Sequence, residues 1–352
     1  MGQNCSLPFC LSRRHKDKPP PTTATEPELA FSKVPVDIIL LLCEEHLSDQ
    51  SALALSLTCK GLRCLIAQYH QTKLKQALIN PSDHETFMLL LEKDHGHEVY
   101  YCHTCHILHR FLHRSQGPTV YPFESTRLKK CRLNLLNLNF NVSYIIISYR
   151  QVRLVMNRHF LDLPNGLPLE SFNMRKREDF FQNPNCYWSI ILSAKVLQDK
   201  LFLCATRTFY LDRGSDQEVR HWLDETTVYI CAHVAIGSPQ RHLIRALYPL
   251  TTTGFVEPCR DAVECCPHCI TDYDTTVERR PIDNDEEKGT TACWVITINS
   301  YHQLGAGRSP QDPEWRMITN WGMNKTRKYE GLPGLCTYGA GCARRMWKEA
   351  VS

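Results

Sequence analysis

The sequence predicts an α+β protein: a helical N-terminal segment followed by a larger mixed domain with a largely antiparallel sheet. Apolar residues recur at helical spacing between residues 31 and 77, and alternating, β-branched and aromatic residues fill several stretches between residues 140 and 301. Two Cys-x-x-Cys pairs are the third observation, because paired cysteines in a reducing compartment are typical metal ligands. We therefore expect the sheet domain to contain a structural zinc site.

Composition limits the class of protein. The chain has 352 residues, of which 43% are hydrophobic and 22% charged, enough for a globular protein of about two domains. The net charge is +4, and the basic residues are scattered along the chain, so we expect no nucleic-acid binding. The longest apolar runs are far shorter than the ~18 residues of a membrane-spanning helix.

Three segments are predicted along the chain. Residues 1–30 are rich in proline and threonine and have too little apolar content to offset the cost of ordering, so we expect a disordered arm. Residues 31–77 are expected to form three short helices, with Pro35 in the first helical turn and Ser48 as a cap. Residues 78–352 are then the Cys-rich α+β domain.

Within the larger domain, a helical run is predicted around Phe87–Leu91. An acidic stretch at residues 283–288 predicts a solvated loop between the last two strands. The predicted strands are residues 140–147, 187–211, 227–234, 273–279 and 293–301.

The cysteines indicate a reducing compartment. The chain has 18 cysteines, yet residues 1–18 are polar and basic and have no apolar signal-peptide core. We therefore expect reduced thiols and a cytoplasmic or nuclear protein, in which paired cysteines indicate metal sites before disulfides.

The first predicted helix has more apolar surface than its own segment can cover. From Ile38 to Cys43 the helix is apolar nearly all the way round, and a unit of about 45 residues cannot bury every face of such a helix. Part of this surface is therefore expected to bind a partner. The alternative is that these helices pack on the rest of the chain.

The stretch VPVDIILLLCEEHLSDQSALALSLTCKGLRCLI resembles an F-box. The F-box pattern is a Leu-Pro start, an acidic residue, an apolar helix, a short break and a Leu-x-x-x-Cys-Lys stretch. Two departures are visible: Val34 replaces the usual leucine, and the first helix is one residue longer than the common spacing. The corresponding positions are Val34, Pro35, Asp37, Ile38, Leu42, Leu47, Leu53, Leu57, Cys59 and Lys60.

This resemblance implies a function. In F-box proteins these positions bind the Skp-type linker of a cullin–RING (SCF-type) ubiquitin ligase, so the chain would be a non-catalytic adaptor that recruits a protein substrate. The rest of the chain resembles a group of fungal F-box proteins through stretches such as YYCHTCHILH, CPHCITDY and GAGCARRMW. That likeness implies that residues 78–352 recognise the substrate, and it does not name the substrate.

Two other functions remain open. A metal- or cysteine-dependent enzyme could use the abundant Cys and His residues, although the sequence has no HExxH, no GxSxG and no glycine-rich loop ending in Lys-Ser or Lys-Thr. A non-ligase interaction module would bind the linker without any substrate being ubiquitinated. Co-purification separates these functions: linker and cullin together indicate a ligase, the linker alone a module, and neither an enzyme.

The predicted zinc ligands are the two Cys-x-x-Cys pairs, Cys102 with Cys105 and Cys266 with Cys269. Four thiolates in a tetrahedron form a closed structural site. Other residues close to the pairs could replace a cysteine, and the alternative is that the thiols are small buried apolar groups. These competing ligands are His103, His106, His109, Cys231, His233 and Cys259.

The N-terminus suggests lipidation. Gly2 and Ser6 match the pattern for N-myristoylation after removal of Met1, and Cys5 could accept palmitate as the second membrane signal that stable anchoring needs. The expected result is peripheral membrane contact through the arm. The alternative is an ordinary disordered start of a cytosolic or nuclear protein.

Overall fold

The computed structural model describes residues 34–95, 99–103, 105–110, 119–122, 135–139, 143–161, 166–179, 186–211, 215, 217, 219, 228–236, 244–245, 258–281, 292–319 and 341–350. The chain divides into two compact units, Met1–Ala77 and Leu78–Ser352.

The N-terminal unit is helical throughout its described part. Its helices are α1 (Val36–Leu41), α2 (Asp49–Ser56) and α3 (Lys60–Ile79). Ser48 Oγ accepts the backbone N–H of Ser51 at 3.2 Å and so caps α2, as the sequence predicts.

A π-turn over Leu42–His46 continues α1. It is closed by the N–H of Leu47, which donates to the carbonyl of Leu42 at 2.9 Å. Such an i→i+5 turn holds one more residue than an α-turn.

Four α-helices lie in the described part of the larger unit. The helices Pro81–His95 and Tyr149–Leu161 are held together by a buried ion pair: Arg153 Nε donates to Glu92 Oε1 at 3.1 Å, and Arg153 NH2 to Glu92 Oε2. Asn157 adds a third bond to the same carboxylate at 3.0 Å. The helices are α4 (Pro81–His95), α5 (Tyr149–Leu161), α6 (Pro313–Thr319) and α7 (Cys342–Glu349).

The strands described in the larger unit form four sheets. In chain order the strands are β1 (Val99–Cys102), β2 (Ile107–Arg110), β3 (Thr119–Pro122), β4 (Leu135–Asn139), β5 (Ser143–Ser148), β6 (Met174–Asp179), β7 (Cys186–Leu197), β8 (Lys200–Leu211), β9 (Val228–Tyr229), β10 (Val234–Ile236), β11 (Ile244–Arg245), β12 (Cys259–Cys265), β13 (Thr271–Pro281) and β14 (Ala292–Gly305).

The main sheet has six strands in the order β12-β13-β14-β8-β7-β6, and all its neighbours are antiparallel. The smaller sheets are β3-β5-β4, β11-β10-β9 and the hairpin β1-β2, and only the β10–β11 pair is parallel among the described strands. The predicted fold class, α+β with a largely antiparallel sheet, is therefore confirmed.

The core of the larger unit lies between α5 and one face of the main sheet. Val152, Val155 and Met156 of α5 are buried with the row of β8 that includes Leu203 and Phe209. On the opposite face of the sheet, α7 packs with Ala343 and Trp347 against Phe202, Cys204 and Tyr301.

The sheet has one detail that the sequence did not predict. The predicted strand 187–211 is a hairpin, β7–β8, whose two turn residues Gln198 and Asp199 have φ angles of 50° and 58°. Two successive positive φ angles define the turn whose twist fits an antiparallel hairpin. Both the predicted arm, residues 1–30, and the predicted acidic loop, residues 283–288, lie outside the described residues.

Candidate metal centre

Cysteine and histidine side chains converge at two places in the described part of the larger unit. One group consists of Cys231, His233, Cys266 and Cys269, and the other of Cys102, Cys105 and His109. Within each group the ligand atoms all lie within 4.8 Å of one another. Each group could therefore hold a metal ion. We call the first group the four-ligand centre and the second the hairpin group.

Two ligands of the four-ligand centre come from the turn between β9 and β10. Ile230 donates its N–H to the carbonyl of Val234 at 2.9 Å and so closes the turn that contains Cys231 and His233. The backbone N–H of His233 donates to Cys231 Sγ at 3.4 Å. Such a bond stabilises a thiolate, because it directs a donor at the sulfur charge.

The other two ligands come from the turn between β12 and β13. Cys266 donates its N–H to the carbonyl of Thr271, and Thr271 donates back to the carbonyl of Cys269, both at 2.8 Å. The N–H of His268 donates to Cys266 Sγ at 3.3 Å. Both turns thus direct a backbone donor at a ligand sulfur.

The spacing of the four-ligand centre fits a tetrahedral ion. Metal–sulfur and metal–nitrogen distances of about 2.3 and 2.0–2.1 Å place ligand atoms of a zinc tetrahedron about 3.5–3.8 Å apart. His233 Nδ1 lies 3.7 Å from Cys266 Sγ and 3.9 Å from Cys231 Sγ. Three of the ligands are buried and His233 is half-buried, so the donor set and its spacing fit a closed structural site.

The three thiols share a negative charge. Hydrogen bonds from Cys231 and Cys269 hold the pKa of Cys266 far below its usual range. Burial raises the pKa of Cys231 and that of Cys269 well above the usual value of a thiol. A divalent cation at this position would stabilise all three groups as thiolates, since a coordinating thiol loses its proton.

A chain of buried polar side chains leads from this centre into the core. Cys269 Sγ is hydrogen-bonded to Thr271 Oγ1 at 3.2 Å, and Thr271 Oγ1 to His302 Nδ1 at 3.0 Å. His302 Nε2 lies 3.0 Å from Ser300 Oγ, which also accepts from NH1 of Arg207 at 3.2 Å. The centre is thus connected to a guanidinium that is completely buried.

Sequence reasoning missed this chain of polar residues. A signal was present in the strand LFLCATRTFYL. Arg207 falls at an inward position of this strand, and the other inward residues are apolar. A charged residue in such a row needs a compensating partner.

The grouping in the structure favours the alternative ligands Cys231 and His233 over the first-choice combination of the two Cys-x-x-Cys pairs. The two Cys-x-x-Cys pairs lie in different groups, and Cys231 and His233 complete the group around Cys266 and Cys269. Cys259 belongs to neither group, and its Sγ lies 3.7 Å from the carbonyl of Thr275, to which it donates. The reason is topological: β12 and β13 bring their turn to the β9–β10 turn, and spacing in the sequence does not reveal this.

The predicted linker-binding residues lie at different depths in the N-terminal unit. Ile38, Leu42 and Leu57 are exposed, as are Pro35 and Lys60, whereas Val34, Leu47 and Cys59 are half-buried. Leu53 is only 8% exposed. It therefore packs mainly within the helical unit.

The lipidation prediction, Gly2 and Cys5, lies outside the described residues. None of the described helices combines the length and the apolar character needed to cross a bilayer.

Comparison of the chain with protein-family models, with curated proteins and with solved structures gave no match.

Proposed function

We propose that the protein is a non-catalytic, substrate-recruiting adaptor of an SCF-type ubiquitin ligase, and that its N-terminal unit binds a Skp-type linker. The sequence pattern from Pro35 to Lys60 supports this proposal. So does the surface of α1, which is the observation that carries it.

The α1 segment is apolar on both of its faces. Ile39 and Cys43, one turn apart, are buried in the interior of the unit. On the opposite face, Ile38, Leu41 and Leu42 leave between 38% and 46% of their surface exposed. Val36 at the start of α1 and Leu57 at the end of α2 are exposed as well, at 51% and 50%. A helix face with three large exposed apolar side chains on a small unit favours an interaction site over a solvated face.

The π-turn after α1 favours the same conclusion. π-turns inside helices are found frequently at functional sites. Here the π-turn includes Leu42, one of the exposed apolar residues, and it holds the additional residue by which this helix differs from the common F-box spacing.

The four-ligand centre supports the second part of the proposal, a structural zinc ion in the larger unit. Three cysteines and one histidine are a common ligand set of structural zinc sites. With four protein ligands the ion has no open position for water or substrate. We propose that it joins the β9–β10 and β12–β13 turns and does not catalyse a reaction.

The linker interaction is tested with the double variant Ile38→Asp/Leu42→Asp of the full chain. Burying two unpaired carboxylates in an apolar interface is strongly unfavourable, so we expect capture of a purified Skp-type linker to be abolished. The matched control is Ile191→Asp, which places the same charge at another exposed apolar position, on β7, and should leave binding unchanged.

Co-capture of the cullin distinguishes the functions. Linker and cullin together support the ligase adaptor, and linker alone supports the non-ligase module. If the wild-type chain fails to bind the linker, or the double variant binds it as well as wild type, the proposal is wrong.

A further inference from the structure

We propose that the chain binds a second metal ion, a divalent ion such as zinc, through Cys102, Cys105 and His109 of the hairpin group. This ion would be separate from the one at the four-ligand centre.

The hairpin β1–β2 places the three side chains on one face. Its register pairs Cys102 with Ile107 and Tyr100 with His109. Directly paired residues of an antiparallel hairpin point to the same side, and residues two apart on one strand share that side. His109 therefore lies on the same face as Cys102, with only one residue pair between them.

The turn of the hairpin brings the second sulfur to this face. The backbone N–H groups of Cys105 and His106 both donate to the carbonyl of Cys102, at 3.2 and 2.8 Å. His106 has a φ of 54°, which a residue with a side chain adopts at a cost. The tight turn brings Cys105 Sγ within 4.8 Å of the other two ligand atoms.

The neighbouring histidines have other partners, so the hairpin selects His109. His103 Nδ1 lies 3.0 Å from the carboxylate of Glu85, and His106 Nδ1 lies 3.1 Å from the hydroxyl of Tyr101. The His109 ring stacks on Tyr100 with 5.5 Å between ring centroids. Packing thus fixes the orientation of the His109 ring beside the two sulfurs.

The hairpin is also a place where a metal would contribute stability. It is a two-stranded sheet of four residues a strand, a form that depends on packing against other elements for its stability. Its described contacts with another element are mainly with α4. A bound ion would join both strands and the turn between them.

The ligand set defines the class of ion. Two thiolates and one imidazole suit soft or borderline ions such as zinc, whereas calcium and magnesium prefer oxygen ligands. Two thiolates also neutralise the charge of a divalent ion, so the ion and its three ligands together have no net charge.

The test is the metal content of the full-length chain purified with zinc in the growth medium, measured by native mass spectrometry and elemental analysis. We expect two zinc ions per chain. Cys102→Ser/Cys105→Ser and Cys266→Ser/Cys269→Ser should each retain one. A single ion that only the hairpin variant loses would support this proposal and contradict the four-ligand centre.

A second measurement exchanges one ligand for another and so keeps the number of ligands unchanged. In the cobalt-substituted chain, His109→Cys should add a third thiolate and intensify the thiolate-to-cobalt charge-transfer absorption. The control His106→Cys should leave that absorption unchanged. The proposal would be overturned if the wild-type chain binds a single ion and Cys102→Ser/Cys105→Ser still binds it, or if Cys102 and Cys105 are recovered as a disulfide without a bound ion.

Discussion

Arg207 is completely buried in an otherwise apolar row of β8 side chains. Burial lowers the pKa of its guanidinium to about 10, and the charges of Cys231 and Cys204 oppose this effect. Arg207 is therefore still a cation near neutral pH. A divalent ion with three thiolates and one neutral imidazole has a net charge of −1, which the guanidinium would balance.

We expect Arg207→Met to weaken zinc binding by about 10- to 100-fold, the usual effect of removing a residue that supports metal ligands. The measurement is competition with a chromophoric chelator on the full chain. The matched control is Arg175→Met, since Arg175 is an exposed arginine on β6. Equal affinities of the two variants would exclude a role for Arg207 in charge balance.

The sequence identified the members of both Cys/His groups as candidate metal ligands, but the structure places the two Cys-x-x-Cys pairs in different groups. The Cys-x-x-Cys pairs are recognisable because their short spacing places both thiols in one turn. The partners of each pair depend on which turns the sheets bring together, and short-range patterns contain no information on that. Arg207 could have been found from its position in β8, whereas its connection to Cys269 through three other side chains could not.

Among the elements, the contact of α4 with α5 depends on a buried ion pair. The side chains of Glu92 and Arg153 are 2% and 7% exposed. Arg153 NH1 also donates to the carbonyl of Arg308 at 2.7 Å, which connects the pair to the segment before α6.

We expect Glu92→Leu to lower the free energy of unfolding by about 3–5 kcal/mol, because it leaves the Arg153 charge buried without its carboxylate. The double variant Glu92→Leu/Arg153→Met should recover most of this loss, since apolar side chains of similar volume replace both charges. Denaturant unfolding of the two variants and the wild type measures both effects. A double variant less stable than Glu92→Leu would show that the pair is not the source of the loss.

The elements themselves were partly predictable. Four of the six strands of the main sheet, β7, β8, β13 and β14, were found because their residues are β-branched, aromatic or alternating. The other two, β6 and β12, were missed, because their sequences MRKRED and CRDAVEC are mostly polar. The predicted strand 227–234 is instead two short strands, β9 and β10, separated by the turn with Cys231 and His233. Helix α5 was missed, because its buried face includes the polar residues Gln151, Arg153 and Asn157. Arg153 and Asn157 are bonded to the distant Glu92, which the sequence pattern does not reveal.

For the whole molecule, metal removal is expected to act on the larger unit. Metal binding is coupled to folding, so a strong zinc chelator should lower the melting temperature of the full chain, by on the order of 10 °C if about 3–4 kcal/mol is lost. Hydrogen exchange should show faster exchange at Cys266 and Thr271, in the turn between β12 and β13. The amides of α2, in the unit without ligands, should be unchanged; a uniform increase in both units would contradict a local zinc site.

The order of strands in the main sheet has a consequence for synthesis of the protein. β8 pairs with β7 on one side and β14 on the other, and about 80 residues separate the end of β8 from the start of β14. At the usual 5–20 residues per second, a ribosome needs roughly 4 to 16 s to make that length of chain. During this interval the hairpin β7–β8 has a long edge whose hydrogen-bonding groups lack their final partner, and such an edge is a template for pairing with other chains. We therefore expect a product that terminates before β14 to aggregate.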